Sequence, residues 1–251
     1  MKGFYELIAE ELPAPTFRFL NYGYAEPSVR RYRWIRADDR PYKYHLSLVR
    51  KVLHGLRLKG KRVLEVGCGR GGNCEYLMRY RQARFVAGVD LCRPNVEFCR
   101  RVYELPGLHF VCADAGRLPL ADGSFDAVLS LESSHGYPRL DLFLAEVWRV
   151  LAPGGILAYA DFWDLAVVAQ DWKGREEILR NAPFETLAEE DITEQVFRAL
   201  KSDSGLSAIL RSMRNERNEA TVDWLVQANE AMRLSLASRQ SVYRVWRLRR
   251  R

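Results

Sequence analysis

Glu65 stands two residues ahead of the run GCGRGG (67–72), where Gly67, Gly69 and Gly72 satisfy the spacing GxGxxG. Glycines at such a turn let a ligand approach the backbone closely, and the same spacing serves dinucleotide sites. A carboxylate aimed into the turn changes the expectation: at close range it repels a pyrophosphate and suits an amino group or another cation. Asp90 lies about twenty residues further on, where a carboxylate can accept both hydroxyls of a ribose. Asp114 closes HFVCAD (109–114) and is placed to accept from the exocyclic amine of an adenine.

Proton transfer calls for a different side chain. The chain has four histidines: His45, His54, His109 and His135. An imidazole titrates at roughly 6.5 when unperturbed, and a positioned base contributes on the order of 10²–10⁴ in rate. His135, in ESSHGYP (132–138), follows an apolar run and is the candidate general base. The other reading is a loop histidine that bonds the backbone and shapes a pocket. His45, on an N-terminal helix, is a weaker candidate; His54 is expected at the surface and His109 at the far start of its strand. Glu132, Tyr24 and Asp161 are candidates for contact with an acceptor, Asp161 because it alternates with Ala160 toward the rim of a strand.

These residues need a scaffold that brings strand ends together. RVLEV (62–66), RFVAGVD (84–90), LHFVCAD (108–114), FDAVLSLES (125–133) and ILAYADFW (156–163) read as strands. GGNCEYLMRY (71–80), RPNVEFCRRVYE (93–104) and RLDLFLAEVWRVL (139–151) read as the helices between them, the last stopped by Pro153-Gly154-Gly155. Strands that alternate with helices and are nearly continuous in apolar residues imply a parallel sheet covered on both faces. Ligands of such sheets bind at the carboxyl ends of the strands. The expected divisions are a helical lid over 1–58, a core over 59–163, a helical insert over 164–238 and a closing strand with basic tail over 239–251. Within the insert, LAEEDITEQVFRAL (187–200) reads as helix; SVYRVWRL (241–248) reads as a closing edge strand. YHLSLVRKVLHGL (44–56) reads as the helix leading into the first strand, and Trp148 and Trp163 as core.

Composition narrows the function. Of 251 residues, 48% are hydrophobic, enough for a sizeable core. No run approaches the roughly 18 apolar residues that span a bilayer, and the N-terminus lacks a signal-peptide apolar region, so a cytoplasmic protein is expected. The net charge of +7 is uneven: residues 1–60 carry +6, residues 239–251 carry +6, and the middle therefore carries −5. That pattern, without an adenine-flipping NPPY-type motif, argues against nucleic acid as substrate. The terminal RLRRR reads as a solvated tail. The five cysteines form no CxxC pair, so neither zinc nor a disulfide framework is expected, and no cluster demands a metal.

The glycine turn, Glu65, Asp90, Asp114 and LAPGG (151–155) together point to S-adenosylmethionine, an adenosine with a charged amino-acid end and a sulfonium. VLEVGCGRGG, GVDL, CADAGRLPLADGSFDAVLS and FLAEVWRVLAPGG stand in the order and spacing of the class I S-adenosylmethionine-dependent methyltransferases, which the chain resembles over residues 61–163. The resemblance implies a Rossmann-like, doubly wound, mostly parallel seven-stranded sheet. It places Glu65, Gly67, Cys68, Gly69 and Gly71 at the methionine portion, Asp90 at the ribose, and Asp114, Ala115 and Leu91 at the adenine. Ser130 and Glu132 fall where cofactor and acceptor meet, with Tyr22 covering the cofactor.

FLNYGY (19–24), ESSHGYP, YADFW (159–163) and SVYRVWRL extend a narrower resemblance over nearly the whole chain. It is similar to the free-standing O-methyltransferases of polyketide and peptide secondary metabolism, of the phthiotriolone and phenolphthiotriolone dimycocerosates methyltransferase type. That implies a lipophilic hydroxylated acceptor, S-adenosylhomocysteine as product, and an insert that shapes the acceptor pocket. N- or C-methylation, and a cyclase that keeps S-adenosylmethionine as a structural ligand, are the alternatives. A homodimer and a carrier-protein-bound acceptor are both compatible with the sequence.

Overall fold

The computed structural model describes residues 2–28, 32–164, 172–202 and 204–251. Parts of the expected lid (29–31) and insert (165–171) lie outside the described residues. Seven strands, β1 (Arg62–Val66), β2 (Phe85–Asp90), β3 (Leu108–Cys112), β4 (Phe125–Leu131), β5 (Leu151–Asp164), β6 (Phe184–Asp191) and β7 (Ser241–Arg250), form one sheet in the order β3-β2-β1-β4-β5-β7-β6. β1 to β5 run parallel, and β7 is antiparallel to both β5 and β6. The helices are α1 (Lys2–Glu11), α2 (Lys43–Val52), α3 (Gly72–Arg79), α4 (Arg93–Val102), α5 (Leu140–Val150), α6 (Trp172–Asn181), α7 (Thr193–Ser202), α8 (Ser204–Met213) and α9 (Glu219–Ala237).

The strands are apolar on both faces because both are covered. Val63, Ala127, Leu129, Ala158 and Ala160 join one core with α2, α3 and α4. Their strand neighbours Leu64, Val128, Leu157 and Tyr159 join a second core with α5. This is the period-2 alternation of a pleated strand used twice. From α5, Leu140, Phe143, Leu144, Val147 and Val150 are buried, and burying each such side chain contributes about 1.5–3 kcal/mol.

Four expectations need correction. The break after α5 is not a separate loop: β5 begins at Leu151, opposite Phe125, and the register resumes at Ala127–Ile156, so the Pro153-Gly154 region is a bulge. Residues 187–191 are not helical; they belong to β6. The acids of β6 face bases from elsewhere, Glu185 with Arg249 at 3.3 Å, Glu189 with Arg244 at 3.0 Å and Glu190 with Lys51 at 2.6 Å. Cross-strand charge pairing favours the strand over the local helical preference. Asp191 then accepts the Thr193 N–H at 2.9 Å in a short side-chain turn, and α7 starts there. β7 is an inner strand, and β6 is the edge.

Within the terminal run, Arg247 and Arg250 are not solvated either, while Arg251 is exposed. Arg247, 7% exposed, donates to the Lys51 and Val52 carbonyls at 3.2 and 3.3 Å and pairs with Glu190. Arg250 stacks 3.8 Å over Trp148 and donates to the Leu151 carbonyl. Trp163 is buried against Trp246.

The N-terminal segment is fastened over the sheet by Arg70, from within the glycine run. Only 1% exposed, its guanidinium lies 3.5 Å over Phe98 and donates to the carbonyls of Phe17 at 3.1 Å and Leu12 at 2.7 Å. Among the described residues, no helix is long and apolar enough to cross a membrane.

Candidate active site

A cavity of about 620 Å³ opens at the carboxyl ends of the parallel strands. Its walls come from Tyr5 on α1, from 18–22, from the turns after β1, β2, β3 and β4, and from Phe162 on β5. Gly67, Cys68, Gly69, Asp90 and Leu91 are on the wall, with Asp114 and Ala115 beside them. Tyr22, Glu132 and His135 stand on the wall as well. Glu65, Gly71, Ser130, Tyr24 and Asp161 do not. Neither does any described residue after Phe162, so the described helices of the expected acceptor-pocket insert stand behind the cavity rather than around it.

At the β1 end, glycine is required by geometry. Gly67 has φ +77°, and a Cβ there would lie 2.3 Å from Cβ of Ser133. Glu65 is fully buried beneath the turn, where it accepts Asn73 Nδ2 at 2.7 Å and the Cys74 thiol at 2.9 Å. Asn73 is the residue that reaches the wall. Asp90 accepts the Gly69 and Cys92 N–H groups, each at 2.8 Å. Burial pushes Glu65 up to about 8 and Asp90 up to about 7, and Cys68 adds to both. The exposed Asp114 accepts the Gly116 N–H at 2.7 Å. Gly71 backs onto Tyr103 and Cys99, leaving no room for a side chain. Ser130 Oγ lies 3.1 Å from Ser133 Oγ and holds the loop after β4.

Tyr22 and Tyr24 part company at Gly23, whose φ is +82° and which sits so close to α2 that a Cβ would come 2.8 Å from Tyr44 Cβ. Tyr22 faces the cavity. Tyr24 is buried toward α2, its ring 5.9 Å from Lys51 Nζ and its N–H bonded to the Tyr44 carbonyl at 2.9 Å.

At the β4 end the chain is strained. Glu132 adopts φ +49°, a left-handed conformation that costs a non-glycine residue about 1–3 kcal/mol. Its carboxylate accepts the Tyr22 N–H at 2.9 Å and the Tyr243 hydroxyl at 2.7 Å. Burial pushes it up to about 8. A 3-10 turn, Ser134–Gly136, then carries His135. Asp161, 1% exposed on β5, grips that turn. One oxygen lies 2.9 Å from His135 Nδ1; the other accepts the Ser134 hydroxyl at 2.6 Å and the His135 N–H at 2.9 Å. The imidazole packs on Phe162 with ring centres 4.5 Å apart.

A carboxylate at Nδ1 favours the tautomer with the proton there, which leaves Nε2 as the acceptor. Burial lowers the His135 pKa, but Asp161 and then Glu132 outweigh it, and the net direction is upward. For Asp161 burial pushes up and His135 pulls down, and the net is downward. The arrangement can act as a base with an orienting acid, and sequence reasoning missed the pairing of Asp161 with His135. Strand alternation placed Asp161 at the working edge and gave no sign of the partner 26 residues earlier. His45 is 1% exposed, bonded to the Asn21 carbonyl at 2.7 Å and stacked on Phe19. His54 and His109 are exposed.

The family described as "Methyltransferase domain" matches residues 64–159. The chain is 39% identical over 207 residues to the phthiotriol/phenolphthiotriol dimycocerosates methyltransferase 1 of Mycobacterium ulcerans (strain Agy99), covering 82% of this chain and 74% of that protein. It is 41% identical over 185 residues to the fatty-acid O-methyltransferase of Mycolicibacterium smegmatis, covering 74% of this chain and 66% of that protein. The fold is shared with the [4+2]-cyclase SpnF, with a TM-score of 0.74, 22% identity, and coverage of 98% of this chain and 93% of that one. S-adenosylmethionine is the cofactor. The chain belongs to the class I S-adenosylmethionine-dependent methyltransferases, of the phthiotriol/phenolphthiotriol dimycocerosates methyltransferase type.

Proposed function

We propose that the protein methylates a hydroxyl group of a lipophilic small molecule, with His135 as general base and Asp161 as its orienting acid. The observation that carries this is the His135–Asp161 pair at 2.9 Å, with the imidazole on the cavity wall and the carboxylate buried behind it. An alcohol must lose its proton to become a nucleophile. His135 Nε2 takes that proton, and Asp161 stabilises the imidazolium that results.

The cofactor fits the residues present. Gly67 lines the cavity with bare backbone, its Cβ position taken by Ser133 of the loop after β4. Asp90 retains lone pairs for a ribose, Asp114 and Ala115 adjoin the adenine end with Leu91, and Glu65 acts through Asn73 on the ammonium end. Bound there, S-adenosylmethionine supplies a methyl group already activated by the sulfonium charge. The protein's remaining task is alignment and exclusion of water, the work of a preorganised cavity. Tyr22 and Phe162, the latter beneath the imidazole, supply apolar wall beside His135.

A carboxylic acid acceptor fits less well. It is ionised at neutral pH, needs no base, and calls for a cation where the wall beside His135 presents the Glu132 carboxylate. Of the C-terminal arginines, which made an acidic carrier protein worth considering, Arg247, Arg249 and Arg250 are engaged within the fold, and a free small molecule is the acceptor proposed here. The test is incubation with methyl-labelled S-adenosylmethionine and matched long-chain alcohols, phenols, fatty acids and amines, read by mass. Label in an ether with equimolar S-adenosylhomocysteine is the expected result. Label in an ester or amine, or product without S-adenosylhomocysteine, overturns it.

A further inference from the structure

Arg175, on α6, does not itself line the cavity. Its two terminal nitrogens donate to the Ser134 carbonyl at 2.9 Å and the Tyr137 carbonyl at 2.7 Å. Those carbonyls bracket His135. A planar guanidinium spanning two carbonyls fixes a turn in a way that an ammonium, a point charge, does not. The next residue, Glu176, pairs with Arg244 of β7, which also meets Glu189 of β6 at 3.0 Å. Adjacent residues of one helix thus tie the turn that carries the base to the antiparallel edge of the sheet.

We propose that Arg175 is a positioning residue for the methyl transfer, clamping the His135 turn from behind and opposing the negative charge that Asp161 places beside the imidazole. The inference rests on His135 being the base. It also gives the insert a task in the reaction, although no described residue of it lines the cavity. The turn is held from two sides: Asp161 takes the Ser134 hydroxyl and the His135 N–H, and Arg175 takes the flanking carbonyls.

The charges facing His135 are Asp161 from β5, Glu132 from the end of β4 and Arg175 from α6. The phenols around it, Tyr22, Tyr137, Tyr159 and Tyr243, are all held above their ordinary value by burial and stay neutral across the working range. Arg175 is therefore the cation of this set. Removing it favours the imidazolium, so the base form is reached only at higher pH.

The experiment compares turnover against pH for the full chain and for Arg175→Met, Arg175→Lys and His135→Ala, with cofactor affinity measured alongside. Arg175→Met is expected to lower kcat on the order of tenfold, as loss of alignment does. It is also expected to move the acid limb of kcat upward by about half a pH unit, the scale of one nearby charge in a partly screened site. Cofactor affinity should stay within about twofold, because the clamp touches no residue placed at the cofactor end. Arg175→Lys keeps the charge without the fork, so its limb stays in place while its kcat falls between the two. Turnover of Arg175→Met equal to wild type, or a loss with the limb unmoved, overturns the inference. If His135→Ala keeps full turnover, the base assignment fails instead; collapse of His135→Ala beside a normal Arg175→Met rejects the clamp alone.

Discussion

Both ends of the cavity place buried carboxylates at the ends of strands, and the two ends treat them in opposite ways. Around Glu65 and Asp90 every hydrogen-bond donor shown is neutral: an amide, a thiol and backbone N–H groups. Both acids are pushed upward, to about 8 and about 7, because burial is left uncompensated. At the other end Asp161 is as deeply buried, yet it is held below its ordinary value by His135. An acid waiting for a cation and an acid already matched with one do different work. In the proposed reading the first kind serves the cofactor, and the second holds a base and steadies the charge it acquires. Glu132 sits between them in kind: it faces the acceptor end but has only the Tyr22 N–H and Tyr243 hydroxyl as donors, and it rises to about 8.

The largest expected effect separates the two ends most cleanly. His135→Ala should lower turnover on the order of 10²–10⁴ while leaving cofactor affinity, measured by calorimetry, nearly unchanged. Asp90→Asn should do the converse. Losing a charged hydrogen-bond partner of the ribose costs roughly 1.5–3 kcal/mol, about ten- to a hundredfold in cofactor Kd, with kcat at saturation much less affected. Gly67→Ala tests where the ends meet. The added Cβ would come within 2.3 Å of Ser133, in the loop that leads to His135, so weaker cofactor binding and slower turnover should appear together. A variant that lost only one would show the ends to be less connected than described.

The smallest effect is on stability. Glu65, Asp90 and Glu132 titrate near 7 to 8 when folded and near 4 when unfolded, so the folded chain holds more protons. The stability these groups contribute is complete below about pH 4 and is lost as pH rises through about 8. The Tm of the cofactor-free protein should therefore fall by several degrees between pH 5 and pH 8, and Glu132→Gln should flatten that slope. A flat profile for the wild type would mean the acids are better compensated than their donors suggest.

The cofactor half was legible because its cues are local. Apolar strands running into a glycine turn, with an acid at the end of the next strand, place Gly67, Gly69 and Asp90 on one wall. Even there Glu65 surprised: alternation gives a strand residue its face but not its depth, and the carboxylate lies under the turn with Asn73 in front. Elsewhere the deciding partners are remote. The acids of β6 look helical until Arg244, Arg247 and Arg249 are set beside them. Tyr24 turns inward because Gly23 lies against Tyr44. Asp161 reads as a rim residue until the turn at Ser134–Gly136 folds over it.

In the proposed mechanism Asp161 serves His135, and His135 takes the acceptor's proton. The most direct measurement is the pH dependence of single-turnover methyl transfer by wild type and Asp161→Asn, with saturating S-adenosylmethionine and a hydroxylated lipid. Wild-type rate should climb with pH through a value above the ordinary 6.5 of histidine, since only the neutral imidazole accepts a proton and Asp161 holds its pKa up. In Asp161→Asn the plateau should fall about a hundredfold or more, and the limb should move to lower pH, because the charge that favoured the imidazolium is gone. Equal plateau rates with coincident limbs would contradict the account.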